Sequence, residues 1–288
     1  MALVLKSLYW GYELFFYEDQ DPRSAQYVLL NPPWLPVVII GAYLYFVLNL
    51  GPKLMANRKP FVLKRLILVY NLVQVMSNAV LCFLGVKLAI EVRMSLKCQP
   101  VDYSTSSTAL RELQLVYYYY LLKVADLLDT VFFVLRKKQT HVSFLHVYHH
   151  TGVLLGAYIY ARFIPGGHAL MLGLWNTFVH TVMYFYFFLT VHRPELTRNA
   201  NWKKYITILQ MVQFAYLTFH FAQPIVFGYE CGIHRFWLWM PTIQNVFMMI
   251  LFSDFYRRTY GGKRKSVSPP PVRVAVNSHL NSHIRINK

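Results

Sequence analysis

Three histidines stand close together in the run HVYHH, at His146, His149 and His150. The run lies inside a segment that is apolar enough to cross a bilayer. On a helix, positions i, i+3 and i+4 share one face, so the imidazoles are expected to point together into protein or a cavity. Because ionisable side chains are costly inside a membrane, such a cluster indicates a functional site. Neutral imidazoles can bind a metal, attack as nucleophiles or transfer protons.

Three more ionisable residues occupy another apolar segment. Lys123, Asp126 and Asp129 follow one another at steps of three residues. This spacing allows Lys123 to pair with Asp126 and places all three on one inward stripe. The pattern is equally compatible with a structural ion pair and with a direct chemical role.

Two later apolar segments carry polar side chains at helical spacing. Asn176 and His180 stand four residues apart, and Gln210 and Gln213 stand three apart. A single membrane histidine or glutamine is more often a hydrogen-bonding group between helices. His180 is a stronger candidate for a functional residue, because the HVYHH run already supplies further imidazoles.

The chain as a whole has the composition of a membrane protein. Its 288 residues are 56% hydrophobic and 17% aromatic, and basic clusters separate the long apolar segments. Each segment has about 20 residues, which is the length that a helix needs to cross a bilayer. The sequence therefore predicts an all-α integral membrane protein with seven transmembrane helices. The predicted spans lie near residues 34–52, 66–88, 113–134, 141–161, 169–190, 204–226 and 235–255.

Positive charge is unevenly distributed among the links between these spans. The formal net charge is +17, and Lys and Arg concentrate in the links after the first, third, fifth and seventh spans. The positive-inside rule therefore predicts a cytosolic C-terminus and an N-terminus on the opposite side. No single basic face with base-stacking aromatics is formed, so nucleic acid is not an expected partner. We expect an N-terminal luminal segment at 1–30, a membrane domain at 31–260 and a disordered basic cytosolic tail at 261–288.

Two of the three cysteines, Cys98 and Cys231, fall in links that the charge rule assigns to the same non-cytosolic side. A disulfide between them is plausible in an oxidising compartment. Two unpaired thiols remain the alternative, because the sequence fixes no distance between them.

Three kinds of protein could use intramembrane histidines in this way. The HxxHH run resembles the metal-binding boxes of diiron membrane desaturases and hydroxylases, but the other histidines stand singly and supply few further ligands. A metal-free enzyme could use a buried neutral imidazole for nucleophilic or acid–base catalysis. A proton-coupled transporter could use the His and Asp residues as a relay.

Several ordered sequence blocks favour the second alternative. The region from Asn31 to Tyr260 resembles the ELO family of very-long-chain fatty acid elongases. The blocks that carry the resemblance are KVADLLDTVFFVLRKK, HVSFLHVYHH, NTFVHTVMYFYF, TILQMVQF and QPIVFGYECG. The first block departs from the family pattern KxxExxDT, since Asp126 stands where the family usually has Glu. The charge is kept on a side chain one methylene shorter.

The resemblance implies a seven-span enzyme of the endoplasmic reticulum in which six helices enclose an acyl tunnel. Such an enzyme condenses acyl-CoA with malonyl-CoA to give 3-oxoacyl-CoA, CO2 and CoA, without a metal or other cofactor. Membrane lipid, the reductase and dehydratase of the elongation cycle and a possible second copy of the chain are the implied partners.

Within this resemblance, His149 is the expected nucleophile and forms an acyl-imidazole. The other implied catalytic residues are His146, His150, His180, Asp129 and Asn176. Weaker candidates for substrate binding are Lys123, Asp126, Gln210 and Gln213. The phosphates of CoA are expected to meet basic residues of the cytosolic links, namely Arg136, Lys137, Lys138, Lys203, Lys204, Arg257 and Arg258.

Overall fold

The computed structural model describes residues 20–198 and 201–261, together with Lys6 and Tyr9. Apart from those two residues, the predicted luminal segment up to residue 19 lies outside this description. The predicted cytosolic tail from residue 262 onward also lies outside it.

Long helices form most of the described part of the chain, which contains no β-strand. Each predicted span overlaps one helix. The helices are α1 (Leu35–Met55), α2 (Lys64–Glu91), α3 (Ser107–Leu135), α4 (Phe144–Phe163), α5 (Leu170–His192), α6 (Asn201–Phe227) and α7 (Arg235–Tyr260). Of these, α1, α2 and α7 are long and apolar enough to cross a membrane by length and composition.

Serine caps set the starts of two helices that carry candidate residues. Ser106 accepts a hydrogen bond from the Ala109 amide at 3.2 Å, so α3 begins six residues before the predicted span. Ser143 accepts from the His146 amide at 3.2 Å, and α4 therefore begins at Phe144. The histidine run thus occupies the first two turns of α4.

Contacts between helices join α2 to α7 in a closed cycle. Helix α2 packs against α3 and α5, α3 packs against α4, and α4 meets α7. The cycle closes because α7 packs against α6 and α6 against α5. Helix α1 packs against α3 and α4 and is not part of this ring.

Alternating helix directions give the ring two different ends. At the basic end, α3 finishes at Leu135 next to Arg136, Lys137 and Lys138, and α4 begins. The Phe61 amide donates to the Leu135 carbonyl at 3.1 Å, which holds the α1–α2 link at the same end. We call the opposite end the capped end. There, a disulfide between Cys98 and Cys231 joins the α2–α3 link to the α6–α7 link, with a Cα–Cα distance of 5.3 Å.

A glycine turn between α4 and α5 completes the capped end. Gly166 and Gly167 have φ angles of +118° and +55°, a region that favours glycine. A Cβ atom on Gly166 would lie 2.1 Å from the Glu112 carboxylate, so the turn packs directly on α3. The Gly167 amide donates to Glu112 Oε2 at 3.0 Å, and the His168 amide donates to the Gln99 carbonyl at 2.8 Å.

Two stacked histidines lie beneath this turn. The His168 and His220 rings are parallel within 17°, with centroids 3.8 Å apart. Burial lowers the pKa of His168, so the imidazole is held neutral. Each Nε2 bonds the backbone carbonyl of the other histidine, at 2.9 and 3.1 Å. These bonds tie the start of α5 to α6.

Candidate active site

The imidazoles of α4 lie in a group on one side of the helix. The His146 and His150 ring centroids are 4.3 Å apart, and those of His149 and His150 are 5.5 Å apart. Across the ring of helices, the His149 ring faces His180 of α5 with centroids 6.5 Å apart. All three α4 histidines are partly exposed.

His146 is held by a chain of hydroxyl groups. Its Nε2 lies 2.9 Å from the Thr130 hydroxyl on α3. Thr130 in turn lies 2.8 Å from the hydroxyl of Tyr43 on α1. Thr130 and Tyr43 could not be identified from the sequence, because their approach depends on how α1 and α4 pack on α3.

A buried ammonium group lies at the centre of the site. Lys123 is only 2% exposed, and its Nζ donates to Asp126 Oδ2 and Asn176 Oδ1, both at 2.8 Å. The same Nζ lies 3.3 Å from His180 Nδ1. The same Nδ1 lies 3.5 Å from Asp126 Oδ2. An ammonium group has three donors and no acceptor, so a neutral His180 that accepts from Lys123 at Nδ1 carries its ring proton on Nε2.

The carboxylates of Asp126 and Asp129 are linked by a tyrosine. The Tyr184 hydroxyl lies 2.6 Å from Asp129 Oδ2 and 3.1 Å from Asp126 Oδ1. The Gln74 amide of α2 also donates to Asp126 Oδ1, at 2.9 Å. The two carboxylates and the Lys123 ammonium thus belong to one hydrogen-bonded network, which also includes Tyr184 and Gln74.

Residues of α2 contribute to this network although the sequence analysis gave them no role. Asn78 donates to Gln74 Oε1 at 3.2 Å, and Gln74 donates to the Tyr70 hydroxyl at 3.0 Å. Asn71, Gln74 and Asn78 are 3%, 2% and 0% exposed. Their spacing of three and four residues on an apolar helix was the signal that could have identified this stripe.

Of the weaker candidates, Lys123 and Asp126 belong to this network, whereas the two glutamines of α6 form no hydrogen bond with it among the described residues. Gln210 donates to the Met183 sulfur at 3.7 Å, which joins α6 to α5. Gln213 is 4% exposed.

The predicted phosphate-binding residues lie at the basic end, either in the α3–α4 link or in the first or last turn of a helix. Lys137 donates to the Ala56 carbonyl at 3.0 Å, and Arg258 pairs with Asp254 on the same helix at 2.9 Å. The structure therefore gives these two residues local partners. Arg136, Lys138, Lys203, Lys204 and Arg257 lie at the same end, in the α3–α4 link, at the start of α6 and at the end of α7.

Several side chains of the site that could in principle bind a metal are instead hydrogen-bonded to neighbouring side chains. Within the described ranges 20–198 and 201–261, no group of three or more His, Cys, Asp or Glu side chains has the geometry to hold a metal ion. The arrangement instead places the partly exposed imidazole of His149 opposite the ring of His180. The buried ammonium group of Lys123 contacts His180 Nδ1 and so favours a proton on Nε2.

Comparison with known proteins gives concordant matches. The family model described as ELO, GNS1/SUR4 family, matches residues 28–268. The chain is 36% identical to very long chain fatty acid elongase 7 of Drosophila melanogaster, over 99% of this chain and 85% of that protein. It is 39% identical to very long chain fatty acid elongase 7 of Rattus norvegicus, over 84% and 86% of the two chains. It is 36% identical to very long chain fatty acid elongase 1 of Homo sapiens, over 85% and 88%.

Proposed function

This chain belongs to the ELO family, and from that premise we propose both the reaction that it catalyses and the way in which its residues act. It is the condensing enzyme of fatty acid elongation and therefore an acyltransferase. A long-chain acyl-CoA and malonyl-CoA give a 3-oxoacyl-CoA two carbons longer, CO2 and CoA. The diiron and transporter alternatives are not favoured, because the relatives are named as elongases.

In the proposed architecture, seven helices cross the membrane and six of them enclose an acyl tunnel. The closed cycle of contacts from α2 to α7 supports this arrangement. The partly exposed imidazoles of α4 and the buried network of α2, α3 and α5 would then line the tunnel. Burying an acyl chain there contributes about 0.8 kcal/mol per CH2 group.

We place the capped end in the lumen of the endoplasmic reticulum and the basic end, with the C-terminus, in the cytosol. The Cys98–Cys231 disulfide supports an oxidising environment at one end. The clusters of Lys and Arg support a cytosolic position for the other. The basic residues there would meet the phosphates of CoA, while the acyl chain extends toward the capped end.

In the first proposed step, His149 takes the acyl group. An imidazole nitrogen of His149 bonds to the thioester carbonyl carbon as the C–S bond breaks, and the ring proton passes to the departing CoA thiolate. The Nε2 proton of His180, which the Lys123 contact fixes, would stabilise the charge that develops on the carbonyl oxygen. His146, one turn earlier, and His150, the next residue, would orient His149.

In the second step, malonyl-CoA loses CO2 and leaves an enolate. The enolate carbon attacks the acyl carbon, and the bond to His149 breaks as the new C–C bond forms. The imidazole then regains one proton, which Asp129 and its hydrogen-bonded neighbours would transfer. Asn176 and Asp126 would hold Lys123 in place throughout, and water must be excluded because an acyl-imidazole hydrolyses readily.

Both steps proceed with the side chains alone, so we propose that no cofactor is required. Subsequent enzymes of the cycle, a reductase acting on the 3-oxo group and a dehydratase, would use the product. A second copy of this chain is a further possible partner in the membrane.

The observation that carries the mechanism is the accessible His149 opposite a His180 whose Nδ1 is occupied by Lys123. The test is to incubate purified enzyme with acyl-CoA alone and to measure the intact mass. We expect a covalent gain of one acyl group that His149→Ala abolishes. The control is His192→Ala, at the end of α5, which should retain the adduct. An undiminished adduct in His149→Ala would remove this residue from the nucleophilic role.

A further inference from the structure

A small apolar cavity lies between α2, α3, α4 and α5, on the capped-end side of the candidate active site. On each of these four helices, one lining residue stands seven positions from a residue of the site. The pairs are Gln74 and Leu81 on α2, Lys123 and Val116 on α3, His150 and Ala157 on α4, and His180 and Gly173 on α5. The lining residue follows its partner on α2 and α4, which end at the capped end, and precedes it on α3 and α5, which begin there.

This common spacing places the cavity in line with the site. Seven residues are close to two turns of helix, so the two members of each pair share one face and are separated by about 10 Å along the axis. The same four faces therefore carry polar and ionisable groups at the level of the site and small or apolar residues at the level of the cavity.

The lining of the cavity fits hydrocarbon. Its hydroxyl-bearing residues are Tyr119, Tyr160 and Thr177. Tyr160 donates to the Trp237 carbonyl and Thr177 to the Gly173 carbonyl, both at 2.8 Å, and the Tyr119 hydroxyl oxygen is buried away from the cavity. A water would need two to four polar partners, and apolar cavities stay dry. The occupant that suits this wall is thus an apolar chain.

Two glycines of the lining differ in what surrounds them. A Cβ atom on Gly85 would lie 2.5 Å from Leu174 Cδ2, so the packing of α2 on α5 requires glycine there. A Cβ atom on Gly173 would meet no atom of another described helix within 4 Å. Glycine destabilises the interior of a helix relative to alanine, and packing gives no reason to keep it at residue 173.

The free surface of Gly173 belongs to the cavity. Gly173 is partly exposed and lines the cavity wall. The exposed side chain of Phe178 marks the outer side of α5, and it lies about 140° further around the helix. A side chain at residue 173 would therefore extend into the cavity.

We propose that this cavity holds the far end of the acyl chain, and that Gly173 is a specificity-determining residue whose missing side chain leaves room for it. This inference rests on the proposed function, because it places the thioester carbonyl at His149. A chain bound there enters the cavity only if it extends about 10 Å toward the capped end. Shorter acyl chains end before the cavity, so only long chains are sensitive to its size.

The test measures kcat/KM for a series of saturated acyl-CoA substrates that increase in length by two carbons, with malonyl-CoA as the second substrate. In Gly173→Leu, the ratio of kcat/KM for the longest to the shortest substrates should fall by about tenfold or more, because the leucine occupies the space of the chain end. Gly173→Ala adds a single methyl group and should lower the same ratio by about twofold.

The matched control is Gly41→Leu on α1, outside the ring of helices. Gly41 is also a helical glycine, and a Cβ atom there would meet no atom of another described helix within 4 Å. This variant should leave the ratio unchanged. Leucine favours a helix over glycine, so both leucine variants should melt no lower than the wild type. If Gly173→Leu does not fold, the smaller change in Gly173→Ala decides the question.

Each outcome bears on the assignment. A loss confined to long chains in the Gly173 variants supports it. An unchanged ratio, an equal loss at every chain length, or the same change in Gly41→Leu overturns it.

Failure of this inference is distinguishable from failure of the proposed function. If the wild-type enzyme forms 3-oxoacyl-CoA while the ratio does not move in the Gly173 variants, only the assignment of the cavity is lost. If the wild-type enzyme forms no 3-oxoacyl-CoA from any substrate, both are lost.

Discussion

The candidate active site and the capped end both bury polar groups, but they satisfy them differently. In the site, Lys123 meets only side chains, those of Asp126, Asn176 and His180. At the capped end, Glu112 accepts from the Gly167 backbone amide, and His168 bonds the His220 backbone carbonyl. Side-chain partners can exchange protons and reorient, whereas backbone partners are fixed by the fold. The difference fits the proposed role of the site in catalysis and gives the capped end a role in rigidity.

The largest expected effect comes from removing the buried ammonium group. Lys123→Met should lower kcat/KM by about a thousandfold, because His180 loses the donor that fixes its proton. It should also reduce the free energy of unfolding by about 3–5 kcal/mol, since the Asp126 carboxylate is left buried and unpaired. Steady-state kinetics and denaturant unfolding measure the two effects.

An exposed ion pair near the capped end provides the control for this change. Arg111 forms an exposed salt bridge with Glu91 at 2.5 Å, so Arg111→Met should leave the free energy of unfolding nearly unchanged. Adding Asp126→Asn to Lys123→Met should restore much of the stability and none of the activity. Full activity in Lys123→Met would contradict the division between the two ends.

The second effect concerns the capped end alone. Cys98→Ser should lower the free energy of unfolding by about 2–5 kcal/mol, because the disulfide closes a long loop. At a temperature where the variant remains folded, kcat/KM should stay within about twofold of wild type. Cys82→Ser, which removes a free thiol, is the control for both measurements. A large loss of kcat in folded Cys98→Ser would show that the capped end takes part in the chemistry.

The smallest effect is expected from the tyrosine that joins the carboxylates. Tyr184→Phe removes the hydroxyl 2.6 Å from Asp129 and should lower kcat/KM by about tenfold. The control is Tyr186→Phe, a buried tyrosine about 200° further around the same helix. Equal losses in both variants would mean that packing of α5 matters and the hydrogen bond does not.

Local spacing predicted much of this molecule. The Lys123–Asp126 pair was predicted from residues three apart, and the structure forms it at 2.8 Å. The positions of the helices were also predicted, because apolar length determines them. The rotation of each helix about its own axis in the folded protein was not predictable in the same way. Gln74 reaches Asp126 only because α2 turns that face toward α3, and no spacing within either helix specifies this.

The predictions were least specific for long, charged side chains. Arg258 pairs with Asp254 one turn earlier, a local contact that a search for phosphate-binding residues overlooks. The role of any one basic residue toward CoA thus stays a prediction. Likewise, the sequence alone could not reveal that the buried Tyr119 hydroxyl has no hydrogen-bond partner among the described residues, since this depends on how the surrounding helices pack.

Helix α1 lies beside the ring, yet its Tyr43 hydroxyl bonds Thr130, and Thr130 bonds His146. The outermost helix thereby steadies the first imidazole of the run through two hydroxyl groups. A shortened protein that began after α1 would retain all the proposed catalytic side chains but lose the hydrogen bond between Tyr43 and Thr130. A helix outside the ring thus also supports an imidazole that we propose to act in catalysis.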